Sequence, residues 1–135
     1  MPAYTFPASF EFLDEIRELV AEIARSGGFS EKAIYSLQLA SDEAASNIIE
    51  HAYEGVSNAF LYMTCDMKGE EIVITMRDTG TPFDFSSVKE PNLTSDLSDR
   101  QIGGLGVYLM RKLMDKVNYE TTRTGNLLTM TKRRE

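Results

Sequence analysis

Ser41-Asp42-Glu43-Ala44-Ala45-Ser46-Asn47-Ile48-Ile49-Glu50-His51-Ala52-Tyr53 carries two patterns at once. Ala44, Ile48 and Ala52 recur every four positions, as on the buried side of an amphipathic helix. Glu43, Asn47 and His51 keep the same spacing, so they stack on one face. At about 100° per residue, Glu43 and Asn47 fall at the border of the apolar stripe and not opposite it. A border position has two readings: the polar flank of a surface helix, or a side chain facing a cavity between helix and sheet.

Outward from this stretch the chain divides into clear elements. Ser30 is placed to cap the same helix, whose apolar positions begin at Ala33, Ile34 and Leu37. Before it, Tyr4 to Phe6 is a short extended opening. Pro7-Ala8-Ser9 predicts a helix start, with Ser9 as cap and Glu11 in the first turn. Phe12, Leu13, Ile16, Leu19, Val20 and Ile23 follow at helical spacing until Gly27-Gly28 stops the run. Beyond Gly55 the period changes. Phe60, Tyr62, Thr64 and Asp66 alternate with Leu61, Met63, Cys65 and Met67, which reads as a strand. Lys68-Gly69-Glu70 is a turn, and Glu71 to Arg77 completes a hairpin.

From Thr79 to Ile102 no period is sustained; Gly, Pro, Asp, Asn and Ser interrupt it throughout. Such a span inside a compact domain is a functional lid or a disordered segment. Gly103-Gly104-Leu105-Gly106 then leads into a third helix, with Leu109, Met110, Leu113 and Met114 as its apolar side. Val117 to Arg123 and Leu127 to Lys132 form a closing hairpin around Thr124-Gly125-Asn126. The order β-α-α-β-β-loop-α-β-β predicts an α+β fold: a two-layer α/β sandwich with a mixed, mostly antiparallel sheet and helices on one face.

With 135 residues, 42% hydrophobic and 26% charged, residues 1–135 are expected to form one self-contained domain. A net charge of −7 and a pI near 4.8 argue against nucleic-acid binding, which Lys and Arg carry. The basic cluster Lys132-Arg133-Arg134 reads as a solvated strand end. A lone cysteine, Cys65, cannot form an internal disulfide and reads as a small core residue in a reducing compartment. The N-terminus shows no secretory pattern, and no run reaches the roughly 18 apolar residues of a membrane span. The expected location is the cytoplasm.

Three stretches can carry chemistry. The first is the Glu43/Asn47 pair. The second is Asp78-Thr79-Gly80-Thr81-Pro82, directly after a strand: a carboxylate placed to accept from a ligand amine, or an ordinary Asp-x-Gly turn. The third is Gly103 to Gly106 at a helix start. Free backbone N–H groups there suit a phosphate, although the glycines would also serve as a hinge. It is neither a Walker A loop nor a dinucleotide fingerprint. Taken together and in this order, the three describe an ATP site.

In this combination the chain resembles the GHKL superfamily with the Bergerat ATP-binding fold, and within it the anti-sigma-factor serine/threonine kinases of bacterial partner-switching systems. Residues 42–53 look like that family's N-box, Asp78-Thr79-Gly80 like its first glycine box, and Gly103-Gly104-Leu105-Gly106-Val107 like its second. The resemblance implies that Asn47 coordinates Mg²⁺ and that Glu43 is the general base or orienting carboxylate for the attacking hydroxyl. Asp78 would accept from the adenine amino group, with Gly80 letting the base sit close. Gly103, Gly104, Leu105, Gly106 and Val107 would hold phosphate, and residues 82–102 would form an ATP lid.

Arg100 is either a partner of the γ-phosphate or a solvated lid residue. No clear third glycine box is visible, leaving Thr129 or Thr131 as weak contacts on the adenine side. His51, the only histidine, is expected to pack or cap. The resemblance further implies an ATP- and Mg²⁺-dependent kinase acting on a STAS-type anti-anti-sigma protein, with a sigma factor as the alternate partner. It also implies a homodimer; Phe10 and Phe12 of the first helix are either part of that contact or core residues. The competing reading is a non-catalytic, nucleotide-responsive module that sequesters a regulator.

Overall fold

The structure, a computed structural model, describes residues 3–82 and 104–134. Most of the expected lid, together with Arg100 and Gly103, lies outside the described residues. The described elements are β1 (Ala3–Pro7), a 3₁₀ turn (Phe10–Phe12), α1 (Leu13–Ser26), α2 (Glu31–Asn47), a π-helical turn (Ile48–Ala52), β2 (Phe60–Lys68), β3 (Glu71–Asp78), α3 (Gly104–Leu113), β4 (Lys116–Thr122) and β5 (Gly125–Arg133).

The strands form one sheet in the order β1-β2-β3-β5-β4, and every neighbouring pair is antiparallel. The predicted two-layer fold is therefore present, with an entirely antiparallel sheet among the described residues. Period-two alternation decides its faces. Leu61, Met63 and Cys65 of β2, Ile72, Ile74 and Met76 of β3, and Leu128 and Met130 of β5 are buried. Against them pack Ile16 and Val20 of α1, Ile34 and Leu37 of α2, and Val107 and Met110 of α3. Burying each large apolar side chain contributes about 1.5–3 kcal/mol. Cys65 belongs to this core, as expected, and burial pushes its thiol up to about 12, which leaves it unreactive at neutral pH.

Helix α2 runs between α1 and α3. Its buried positions Ala40, Ser41, Ala44 and Ala45 are small, so both neighbours can approach its backbone closely. Ser30 caps it as predicted: its Oγ accepts from Ala33 N–H at 3.2 Å. Arg17 of α1 pairs with Asp42 of α2 at 2.6 Å and also with Asp14 on its own helix.

Three local expectations change. First, α2 does not run regularly to Tyr53. From Ile48 it widens into a π turn, with Tyr53 N–H bonding the Ile48 carbonyl at 3.1 Å. Second, the closing hairpin turns at Arg123-Thr124, so Gly125 and Asn126 are strand residues. Gly125 has φ +139°, and a Cβ there would collide with the Asp78 carbonyl oxygen, so the glycine lets β5 start against the end of β3. Third, Asn126 pairs with Asp78 in register, so Thr129 and Thr131 point to the opposite face of the sheet from Asp78 and are not on its side.

Candidate functional site

Asp78 ends β3 on the buried face and is 2% exposed. Its Oδ1 accepts from Gly80 N–H at 2.9 Å and from the Asn126 side-chain amide at 2.7 Å. That same amide reaches the Gly80 carbonyl at 3.0 Å, and Asn126 Oδ1 accepts from the Thr121 hydroxyl at 3.2 Å. Both donors to Asp78 converge on Oδ1, and Oδ2 makes no hydrogen bond among the described residues. Burial raises the Asp78 pKa, and the bonds from Asn126 and Gly80 pull against that rise.

Gly80 answers to a close approach rather than to a special φ. A Cβ there would run into the backbone carbonyl of Ala52, whose oxygen also accepts from Thr81 N–H at 2.8 Å. The crowding that requires glycine at this position comes from the end of the π turn. The Asp78 loop is thus seated on the helix that carries the first candidate pair.

On that helix Glu43 is half-buried, and α3 begins beside it. A Cβ on Gly106 would lie 2.8 Å from Glu43 Oε2, so the first turn of α3 and this carboxylate share one place. Gly104 and Leu105 supply helix backbone at the N-terminus of α3. Val107 is fully buried in the core, so its side chain packs and only its backbone can serve a ligand. Burial raises the Glu43 pKa, and the nearby carboxylates of Asp42 and Glu50 add to the rise.

Asn47 stands one turn beyond Glu43. Its Nδ2 is buried without a hydrogen-bond partner among the described residues. The two ends of an amide exchange by a flip, so this is a vacant polar position that can present either an oxygen or an N–H. An orphaned buried polar group costs about 1–3 kcal/mol, and a ligand that engages it recovers that. His51 is taken out of the Glu43–Asn47 line by the π turn. It sits half-buried, with Nε2 3.7 Å from Glu50 Oε2.

Two members of the site escaped the sequence reading. The sequence reads Asn126 as a turn residue, with the glycine before it as the one signal, yet it is 1% exposed and bonded to Asp78. Tyr53 carries no functional signal of its own in the sequence, yet its hydroxyl donates to the Phe60 carbonyl and accepts from the Thr79 N–H, both at 2.8 Å.

A family model described as the histidine kinase-like ATPase domain matches residues 6–132. The chain belongs to that family. Among its relatives is the serine-protein kinase RsbW of Halalkalibacterium halodurans, 33% identical over 132 residues, covering 95% of this chain and 80% of the relative. Another is the serine/threonine-protein kinase BtrW of Bordetella bronchiseptica, 32% identical over 109 residues, covering 81% of this chain and 77% of the relative. The chain thus stands among the serine/threonine-protein kinases of the histidine kinase-like ATPase family.

The solved RsbU and RsbW domains of a Mycobacterium tuberculosis protein share the fold, with a TM-score of 0.62 at 18% identity. The match covers 98% of this chain and 32% of that longer one. Among the described residues no helix is long and apolar enough to cross a membrane.

Proposed function

We propose that this member of the histidine kinase-like ATPase family is an ATP- and Mg²⁺-dependent protein serine/threonine kinase. Its substrate is a STAS-type anti-anti-sigma protein, and phosphorylation decides whether the kinase holds that protein or a sigma factor. The setting is the cytoplasm, with the kinase as a homodimer; Phe10, 50% exposed, is available to that contact, whereas Phe12 is half-buried.

One observation carries the reading: Gly106, in the first turn of α3, is packed on the Glu43 carboxylate. A helix N-terminus offers unpaired N–H groups and a positive dipole end to phosphate oxygens. Here it does so beside a carboxylate that burial, with Asp42 and Glu50 nearby, makes a stronger proton acceptor than a solvated glutamate. Glu43 takes the proton of the attacking serine hydroxyl as that oxygen bonds the γ-phosphorus, and ADP leaves. Gly103, Gly104, Leu105, Gly106 and Val107 give backbone N–H groups to the phosphates, and Arg100 on the lid gives charge to the γ-phosphate. Asp78 accepts the adenine amino group at its remaining oxygen.

The donor set suits a hard cation. Among the described residues the buried Asn47 Nδ2 has no partner, and no cluster of three or more His, Cys, Asp or Glu side chains competes for a metal. Mg²⁺ takes few protein ligands beside phosphate oxygens and water, and when bound it neutralises phosphate charge.

The test is transfer of label from γ-labelled ATP to a STAS-domain partner, with Glu43→Gln alongside. The wild-type protein should transfer, and the variant should bind ATP while losing about 10³-fold in rate, within the range general-base removal gives. ATP binding by wild type without transfer would assign the chain to nucleotide-responsive sequestration instead.

A further inference from the structure

Tyr53 is 6% exposed, and its hydroxyl meets two segments distant in sequence. It donates to the Phe60 carbonyl at 2.8 Å, accepts Thr79 N–H at 2.8 Å, and lies 3.2 Å from Thr79 Oγ1. A phenol has one proton to give and two lone pairs, so with the Thr79 hydroxyl donating, every position on this oxygen is used. Thr79 stands directly between Asp78 and Gly80.

The π turn makes this arrangement possible. Its wider ring, closed by Tyr53 N–H on the Ile48 carbonyl at 3.1 Å, brings the tyrosine inward at the end of the helix. The Ala52 carbonyl is left to accept Thr81 N–H at 2.8 Å. Gly80 lies so close to that carbonyl that no side chain fits between them. The Asp78 loop is therefore pinned on one side by Asn126 of β5 and on the other by Ala52 and Tyr53. Burial of the tyrosine ring stabilises the fold in its own right. The hydroxyl adds something the ring cannot: it fixes the Thr79 peptide, and so the direction of the Asp78 side chain before it.

We infer that Tyr53 is a positioning residue for recognition of the nucleotide base, its hydroxyl holding the Thr79 peptide so that Asp78 keeps its free oxygen aimed at an exocyclic amine. The inference rests on the reading of Asp78 as the base-recognising carboxylate.

The test compares Kd for ATP with Kd for purine riboside 5′-triphosphate, which lacks only the exocyclic amine, in wild type, Tyr53→Phe and Asp78→Asn. Wild type should prefer ATP. Tyr53→Phe should narrow that preference about fivefold, the scale of one hydrogen bond, and bind the amine-free nucleotide almost as wild type does. A merely structural role would weaken both nucleotides by the same factor, and that result overturns the inference. If wild type shows no preference, the base-site reading itself fails. If wild type and Tyr53→Phe discriminate equally while Asp78→Asn does not, the base site stands and the role of Tyr53 is lost. Hydrogen exchange of the Thr79 amide in wild type needs no variant. Strong protection is expected, and exchange at the rate of an open loop would refute the pinning.

Discussion

The two ends of the candidate site are built on opposite plans. Around Asp78 the polar groups are engaged within the fold: Asn126 to Asp78 and Gly80, Thr121 to Asn126, Tyr53 to Thr79 and Phe60. At Glu43 and Asn47 no such bonds are made among the described residues. The Asn47 amide has no partner among the described residues, and Glu43 is half-buried with Asp42 and Glu50 raising its pKa. A satisfied buried network is rigid before any ligand arrives, whereas unsatisfied groups hold free energy that a ligand can release. On the proposed reading, the base end would be prebuilt and the phosphate end completed by what it binds. On that reading, such a division would let the base be recognised on a fixed surface while the charged end responds to metal and phosphate.

The two glycines test that contrast most severely. A Cβ at Gly80 meets backbone, the Ala52 carbonyl, and only a shift of the π turn can relieve it. Gly80→Ala should therefore lose about 3 kcal/mol, a fall of roughly 10 °C in Tm by thermal unfolding. At Gly106 the neighbour is the far end of the Glu43 side chain, which can swing aside. Gly106→Ala should keep or slightly raise Tm, because alanine favours the helix, yet cut phosphotransfer about 100-fold by displacing the carboxylate. A stable Gly80→Ala, or a fully active Gly106→Ala, would break the distinction between a rigid end and a yielding one.

Sequence pattern carried the fold because each strand writes its buried face in period two and each helix in period 3.6. Leu61, Met63, Cys65, Met110 and Met114 all lie where that alternation puts them. The three motif stretches were legible as well, since glycine and carboxylate in fixed order are local features. What was hidden is non-local or turns on one inserted residue. Asn126 reads as a turn residue until β5 is laid against β3 and brings it to Asp78, 48 positions away in sequence. The π turn leaves no periodic signature over five residues, yet it removes His51 from the Glu43–Asn47 row and carries Tyr53 to Thr79. Gly80 was read for what it allows a ligand to do; its nearest constraint is the helix behind it.

Next in size is a paired measurement on the polar residues. Asp78→Asn keeps an oxygen for Asn126 and Gly80 while removing a buried charge. Because the folded-state pKa of Asp78 is raised, the native protein binds that proton more tightly than the unfolded chain. Its stabilising contribution is present below the unfolded value of about 3.9 and is lost as pH rises through the folded one. Asp78→Asn should thus raise Tm by a few degrees at pH 7, with the gain vanishing towards pH 4, while ATP affinity collapses. Asn47→Ala removes a group whose Nδ2 has no partner among the described residues, so Tm should move by no more than about 2 °C while Mg²⁺-dependent nucleotide binding is lost. Thermal scans across pH with titrations of ATP, with and without Mg²⁺, give both answers. A large Tm loss in Asn47→Ala would mean that the phosphate end is as internally satisfied as the base end.

The smallest effect separates the proton acceptor from its surroundings. Burial is the leading cause of the raised Glu43 pKa, followed by Asp42 and then Glu50. Asp42 is tied to Arg17, but Glu50 is exposed, and among the described residues its one ion-pair contact is His51 Nε2 at 3.7 Å. If Glu43 accepts the hydroxyl proton, transfer falls on the acid side as Glu43 protonates. Removing the Glu50 charge favours the ionised carboxylate, so that acid limb should move to lower pH, with the plateau rate unchanged. Added salt should move the wild-type limb the same way by screening Glu50, and should move the Glu50→Gln limb less. An acid limb indifferent to both Glu50 and salt would mean that the titrating group lies elsewhere. Glu43 would then orient the hydroxyl without taking its proton, and the yielding end of the site would act through geometry alone.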